Sequence, residues 1–179
     1  MKSYLLHIWN VIDPIYYTCS RLRYVPDQEK GNTLFRVRLT TYKGCTAILR
    51  DGTVIKKGDK LLKIHLHNVR MLHEMQSISS EMKRAVYTYH VVKRALPKLA
   101  SYLEKHPKHD EIKGIIGITG LYRGAGRLGF EIVPIKNTFY KLYKKGTFMP
   151  INFLANTKGP KTPYYLFMSK EQIMKRYIQ

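Results

Sequence analysis

The length and composition of the chain exclude several classes of protein. Its 179 residues suffice for one domain whose core folds without disulfides or bound metal, and 44% hydrophobic residues exclude a largely disordered chain. No stretch approaches the roughly 18 apolar residues of a transmembrane helix. Lys and Arg number 32 against 12 Asp and Glu, which leaves a formal net charge of +20.

This excess of positive charge predicts an anionic partner, because an opposite charge would relieve the self-repulsion of the compact state. The candidate partners are an anionic polymer, a phosphate- or carboxylate-bearing ligand, an anionic membrane surface and nucleic acid. The alternative is a soluble domain that is basic without such a partner.

The cysteines and the N-terminus bear on location. Cys19 and Cys45 are too few for a disulfide framework and indicate reduced thiols. The apolar start of the chain is interrupted by His7, and Asp13 and Pro14 follow without a small-residue cleavage site, so it does not resemble a signal peptide. We therefore expect a cytoplasmic protein, with a peripheral position at the membrane surface as a further option.

The first third of the chain predicts a helix followed by a small sheet. Residues 1–24 form an amphipathic helical pattern with a break at Asp13-Pro14; such a helix packs on its own domain or lies on a membrane. Residues 26–33 are a polar linker. Apolar and polar residues alternate over 34–67, which predicts an antiparallel β-meander with one wet face and a hairpin turn at Asp51-Gly52.

A long helical pattern covers residues 69–106. Ser79 or Ser80 is a cap within it, Pro97 predicts a kink, and Pro107 ends it.

The remaining segment, residues 113–179, mixes strands and helices. Residues 114–119 form a continuous apolar strand typical of one buried on both faces, and residues 130–135 form the next. Residues 137–145 are helical and basic, and 146–163 are a loop. A last strand over 164–168 precedes a helix capped by Ser169. The whole chain, residues 1–179, is thus predicted as a single α+β domain with a mixed, mostly antiparallel sheet and helices packed on it.

The first candidate site is His65-Leu66-His67-Asn68. A period of two places both imidazoles on one face of a strand with Lys63, and a neighbouring strand would add Arg36 and Arg38. An anion fits this group better than a metal ion, because the cations repel a divalent ion and no Cys or acidic pair stands at ligand spacing. Solvent-facing or hydrogen-bonded structural histidines are the alternative. We therefore predict no metal site.

The second candidate site is the glycine-rich segment 119–127, in which Arg123 and Arg127 could hold a phosphate. A tight connection between two strands explains the same glycines. The predicted ligand-binding residues are Arg36, Arg38, Lys63, His65, His67, Asn68, Arg123 and Arg127.

Five sequence blocks carry a family resemblance. In chain order they are Tyr42-Lys43-Gly44, Asp51-Gly52-Thr53-Val54, Lys57-Gly58-Asp59, Ile64-His65-Leu66-His67-Asn68 and Arg123-Gly124-Ala125-Gly126-Arg127-Leu128-Gly129-Phe130-Glu131. Over nearly its whole length the chain resembles the uncharacterised YkoP-like family, small domains that occur alone or fused behind polysaccharide deacetylase domains. This resemblance implies a connection with envelope-polysaccharide metabolism. It does not imply deacetylase activity, because it does not extend to the deacetylase domain and its metal ligands.

A second, more distant resemblance is to the later half of the GNAT-type acyltransferase fold. It rests on the order of sheet, long helix, buried strand, short turn and the strand Leu128-Gly129-Phe130-Glu131. That fold binds the pyrophosphate of acyl-coenzyme A at a glycine-rich turn after its fourth strand, a position held here by residues 67–72 without a glycine. The resemblance therefore implies a degenerate GNAT-like fold, and acyl-coenzyme A is expected as a cofactor only if the protein is such a transferase.

We interpret the chain as an accessory protein that binds an anionic ligand or surface and needs no cofactor. One alternative is a GNAT-like acyl or other group transferase with His65 or His67 as general base. Another is a nucleic-acid-binding protein. Whether the protein is an enzyme stays open at this point.

Overall fold

The computed structural model describes residues 21–27, 31–120, 122–154 and 162–178, with the side chains of residue 68 and residues 148–154 excepted. The strands are β1 (Arg23–Asp27), β2 (Gly31–Thr41), β3 (Ala47–Ile48), β4 (Val54–Ile55), β5 (Lys60–Leu66), β6 (Ile112–Thr119), β7 (Glu131–Pro134) and β8 (Tyr164–Ser169). The helices are α1 (Asn68–Glu74), α2 (Glu81–Glu104), α3 (Thr138–Leu154) and α4 (Lys170–Tyr177), with 3-10 turns at His109–Glu111 and Ala125–Leu128. None of the described helices is long and apolar enough to cross a membrane.

Six strands form one mixed sheet in the order β1-β2-β5-β6-β8-β7, and β3 and β4 form a separate hairpin. Every pair in the large sheet is antiparallel except β5 and β6, which are parallel and are joined through α1 and α2. The predicted α+β class with a mixed, mostly antiparallel sheet is confirmed.

The two faces of the sheet carry different layers. On one face the main core joins apolar residues of β2, β5, β6 and β8 to α2 and α4, including Val37, Leu62, Leu99 and Ile173. On the opposite face a smaller core lies under the β3–β4 hairpin, around Leu61 and residues of β6 and β8. Arg36, Arg38, Lys63 and His65 alternate with main-core residues along their strands, so they belong to the second face.

The meander predicted over residues 34–67 is wrong, because β2 pairs directly with β5 and the β3–β4 hairpin lies outside the large sheet. The turns predicted within it are confirmed. Gly52 has a φ of +85° and donates its N–H to the carbonyl of Leu49, which closes the turn between β3 and β4. Gly58, with a φ of +99°, occupies the turn before β5. Glycine adopts this left-handed backbone without the steric cost that a Cβ would add.

The helix predicted over residues 1–24 is wrong at its C-terminal end. Residues 23–24 belong to β1 rather than to a helix, and β1 and β2 take up parts of the predicted linker. β1 forms because Val25 is fully buried in the main core while the backbone pairs with β2 from Arg23↔Val37 to Asp27↔Gly31. Residues 1–20 of the predicted amphipathic helix lie outside the described residues.

Of two helical predictions, one is confirmed and one is wrong. The cap predicted within residues 69–106 is Ser80, whose hydroxyl accepts from the backbone N–H of Lys83 at the start of α2 and so divides the pattern into α1 and α2. The predicted loop after residue 145 is wrong up to residue 154, since α3 continues through Gly146 and Pro150. A glycine costs a helix only about 1 kcal/mol relative to alanine, which is too little to end α3 at Gly146.

The predictions for the C-terminal segment otherwise hold. β6, β7 and β8 match the predicted strands, and the Ser169 hydroxyl caps α4 by accepting from the N–H of Gln172 at 3.0 Å.

Candidate functional site

The pairing of β2 with β5 brings four of the predicted site residues together. Arg36 lies opposite His65 and Arg38 lies opposite Lys63. Directly opposed side chains on one face of an antiparallel pair have Cβ atoms about 5 Å apart, so the four form one compact group. We call these residues together with Lys144 of α3 the cationic face.

Arg36 is fixed within this group. It is only 4% exposed, and its Nη2 donates to the Tyr24 hydroxyl at 2.6 Å and to Nε2 of His67 at 2.8 Å. Its guanidinium also lies 5.0 Å from the centroid of the Tyr24 ring, which adds a cation–π contact. Tyr24 and His67 therefore hold a buried cation in one orientation at the edge of the cationic face.

The contact with Arg36 decides the tautomer of His67. A guanidinium can only donate, so Nε2 of His67 accepts and the neutral ring carries its proton on Nδ1. Nδ1 also lies 3.4 Å from the backbone nitrogen of Arg70 at the start of α1, where an accepting nitrogen would cap the helix. One neutral ring cannot accept at both nitrogens. The shorter contact is the stronger one, so His67 serves mainly as the acceptor for Arg36.

Helix α3 brings Lys144 and Tyr140 to the same face of the sheet. Tyr140 stacks on Tyr165 of β8 with ring centroids 6.4 Å apart. The Lys144 amine lies 5.6 Å from the centroid of Tyr140 and 5.3 Å from that of Tyr143. Tyr24, Tyr140 and Lys144 also belong to the site, although they were not among the predicted site residues. Only the basic character predicted for residues 137–145 signalled Lys144.

The charges of the cationic face perturb one another. Burial, with Lys144 and Arg38 nearby, lowers the pKa of Lys63 to about 8. Burial and the Arg38 guanidinium also lower the pKa of Lys144. Among the described residues no carboxylate forms an ion pair with either lysine. Their amines therefore carry positive charge in a half-buried site where the described neighbours supply more of the same charge.

His65 is neutral at physiological pH. Burial and the charges of Lys63, Arg38, Lys144 and Arg36 lower its pKa to about 3. Its Nε2 atom is buried and has no hydrogen-bond partner among the described residues. A buried nitrogen without a partner costs free energy, so this atom is a place where a bound ligand could form a hydrogen bond.

Two of the predicted site residues do not join the cationic face. The turn Ala125–Leu128 packs into the main core on the opposite side of the sheet through Ala125 and Leu128. Arg123 and Arg127 are exposed beside that turn, and the backbone carbonyl of Arg127 accepts from the side chain of Arg176 in α4. Asn68 opens α1, and its side chain lies outside the described part of the molecule.

The geometry was also compared with the predictions about a metal ion and a cofactor. Within the described residues no group of three His, Cys, Asp or Glu is arranged to hold a metal ion. At the position where the GNAT resemblance implies a pyrophosphate site, α1 has seven residues and begins beside the His67 ring. The acyl-coenzyme A alternative stays a prediction.

Fold and site together define a small, strongly basic α+β domain with a cationic sheet face beneath a helix. The chain belongs to the YkoP family, whose domain matches residues 2–177. It is 44% identical over 181 residues to the protein described as "Uncharacterized protein YkoP" from Bacillus subtilis (strain 168). The aligned region covers 99% of this chain and 98% of that protein. No solved structure matches the chain.

Proposed function

We propose that the protein binds a small anionic group, a phosphate or a carboxylate, at the cationic face. The observation that carries this proposal is the convergence of Lys63 and Lys144 with Arg38 in a half-buried site where no described carboxylate pairs with either lysine. An anion there turns mutual repulsion into attraction, and the guanidinium and amine groups offer charge-assisted hydrogen bonds.

The neutral histidine supports an anion with a hydroxyl. Nε2 of His65 is buried next to the same cations, and a neutral imidazole nitrogen can accept from an O–H or donate to an oxygen, depending on its tautomer. A monoprotonated phosphate or a hydroxy acid offers both an anionic oxygen and an O–H. Cations and histidine could therefore engage one ligand at the same time.

Burial favours a small group over a polymer backbone. Arg36 is almost wholly inaccessible, and α3 lies against the face with Tyr140 and Lys144. A polymer bound along an open surface would need exposed cations in a row. A connection to envelope polysaccharides, which the family resemblance suggests, would then run through one charged substituent or one chain end.

Thermal unfolding with added anions tests this proposal. Inorganic phosphate, pyrophosphate and malonate are compared at constant ionic strength, so that general screening does not count as binding. At ten times its Kd a ligand that binds only the folded state adds about 1.4 kcal/mol, which raises the Tm of a chain this size by about 3–6 °C. Lys63→Gln and Arg38→Gln should remove the shift, and Lys83→Gln, at an exposed position on α2, should keep it.

Two outcomes would contradict the proposal. One is a parent protein whose Tm does not respond to any of the three anions. The other is an equal response in the parent and in Lys63→Gln. A short DNA duplex serves as a further probe: binding that falls steeply with salt and is insensitive to Lys63→Gln would favour the nucleic-acid alternative instead.

A further inference from the structure

Helix α3 exposes an apolar stripe on the side that faces away from the sheet. Phe139 is 88% exposed, Leu142 66% and Tyr143 62%. These positions recur at the spacing of one helix face, since residues three and four apart are neighbours. Tyr140 and Lys144 lie about 60° and 100° further round the helix from Tyr143, which borders the stripe on that side, and they contact the sheet or its cationic face. The helix is therefore anchored through one face and leaves its apolar face uncovered by the described residues.

Lysines border this stripe. At about 100° per residue, Lys141 and Lys145 lie together along one flank of the face, and Lys136 precedes the helix. Asn137 starts the helix firmly, because its side-chain oxygen accepts from the N–H of Tyr140 at 2.8 Å. An apolar stripe with two aromatic residues and a lysine flank is the pattern of a helix that lies in the plane of a membrane interface.

We propose that the outer face of α3 docks on an anionic lipid bilayer, with Phe139, Leu142 and Tyr143 inserted between the headgroups. Charge complementarity selects this occupant over a second copy of the chain. Two copies, each with a net charge of +20, would bring the same lysine flanks together and repel one another. A bilayer of anionic lipid instead has a negatively charged headgroup surface above a hydrocarbon interior, so it can bind the lysines and the apolar stripe together. The inference is independent of the anion proposed for the cationic face.

Gly146 allows a test that does not disturb the fold. It lies on the helix between the directions of Leu142 and Tyr143, and a Cβ added there meets nothing within 4 Å. Gly146→Leu enlarges the apolar face, and Gly146→Glu places a negative charge at its centre. Both changes replace a glycine with a better helix former, so neither should destabilise α3.

Vesicle sedimentation with the full chain is the experiment. The vesicles are phosphatidylcholine alone or with about a third phosphatidylglycerol, an anionic lipid. We expect binding to the anionic vesicles only, about tenfold tighter for Gly146→Leu and about tenfold weaker for Leu142→Ser and for Gly146→Glu. Lys141→Gln and Lys145→Gln should each weaken binding about fivefold. Met82→Ser, at a residue of α2 that is 73% exposed, should leave binding unchanged.

Three results would overturn the proposal: no binding to the anionic vesicles, equal binding by the parent and Leu142→Ser, or weaker binding by Met82→Ser and Leu142→Ser alike. A lipid-free dimer that Leu142→Ser dissociates would overturn it as well, because the face would then be occupied by a second copy. Lys63→Gln separates this inference from the anion proposal. It should abolish the response to phosphate and leave vesicle binding intact.

Discussion

Replacing Lys63 by methionine should make the protein more stable. Its pKa is lowered from 10.5 to about 8, first by burial and then by the charges of Lys144 and Arg38. At about 1.4 kcal/mol per pH unit, the folded state disfavours the charged amine by about 3 kcal/mol. Methionine keeps the length of the side chain and removes the charge. Since Lys63 keeps some contact with solvent, we expect a gain of about 2 kcal/mol at neutral pH, which raises Tm by about 4–8 °C.

The pH dependence identifies the cause of that gain. Below pH 8 or so, Lys63 is protonated in both states and the parent bears the whole penalty. As pH rises from about 8 towards 10.5, the unfolded chain holds more protons than the folded one, so the parent gains stability relative to Lys63→Met. The gap between the two proteins should therefore be constant near neutral pH and narrow above it.

Calorimetry from neutral pH to about pH 9.5 measures this gap, with Lys83→Met as the matched control because Lys83 is an exposed lysine on α2. The control should change Tm little at any pH. A Lys63→Met variant less stable than the parent at neutral pH would refute the reasoning, because Lys63 would then contribute packing or a favourable contact. A gap that does not narrow with pH would refute the electrostatic explanation.

Two further changes test the fold that positions the site. Gly114→Ala should destabilise the folded protein by about 1–3 kcal/mol, because a Cβ there would collide with the backbone carbonyl of Met168 on β8. Gly146→Ala is the control: it lies in open space on α3 and should raise the Tm in thermal unfolding. Ser169→Ala should destabilise by about 1–2 kcal/mol at neutral pH, because the hydroxyl caps α4 and donates to Asp51. Burial raises the pKa of Asp51, but the hydrogen bonds from Ser169 and Thr53 outweigh this effect and hold the pKa below its ordinary value. Part of the stability lost in Ser169→Ala should therefore be regained as acid protonates that carboxyl. A loss of stability that is independent of pH would show that all of it comes from the helix cap.

The cationic face could be predicted from the sequence because it follows from a local rule. Alternation along β2 and β5 fixes which side chains share a face, and only the adjacency of the two strands had to be assumed. Lys144 could not be found in the same way. Its approach depends on how α3 crosses the sheet, and that is set by contacts such as Tyr140 on Tyr165, which are distant in sequence.

The wrong predictions for β1 and for Arg123 and Arg127 have the same cause, which is that contacts between residues distant in sequence decide both. Pro26 and Asp27 are poor strand residues, yet β1 forms because Val25 reaches the main core and the backbone pairs with β2. Arg123 and Arg127 looked like partners of the histidines by composition. Their turn packs on the other side of the sheet, and no sequence period indicates which side a short connection takes.

The distribution of the acids bears on whether the cationic face is an accident of high net charge. Three of the described acids pair with cations elsewhere: Asp59 with Lys113 at 3.0 Å, Glu74 with Arg70 at 3.0 Å, and Glu111 with Lys60. These pairs place carboxylates beside lysine and arginine side chains that have some access to water, where pairing contributes little. Lys63 and Lys144 sit where a counter-charge would contribute most, and the described residues give them none. A ligand anion would fill that role. It would also raise the pKa of Lys63, so anion binding and protonation of this lysine become a single coupled event.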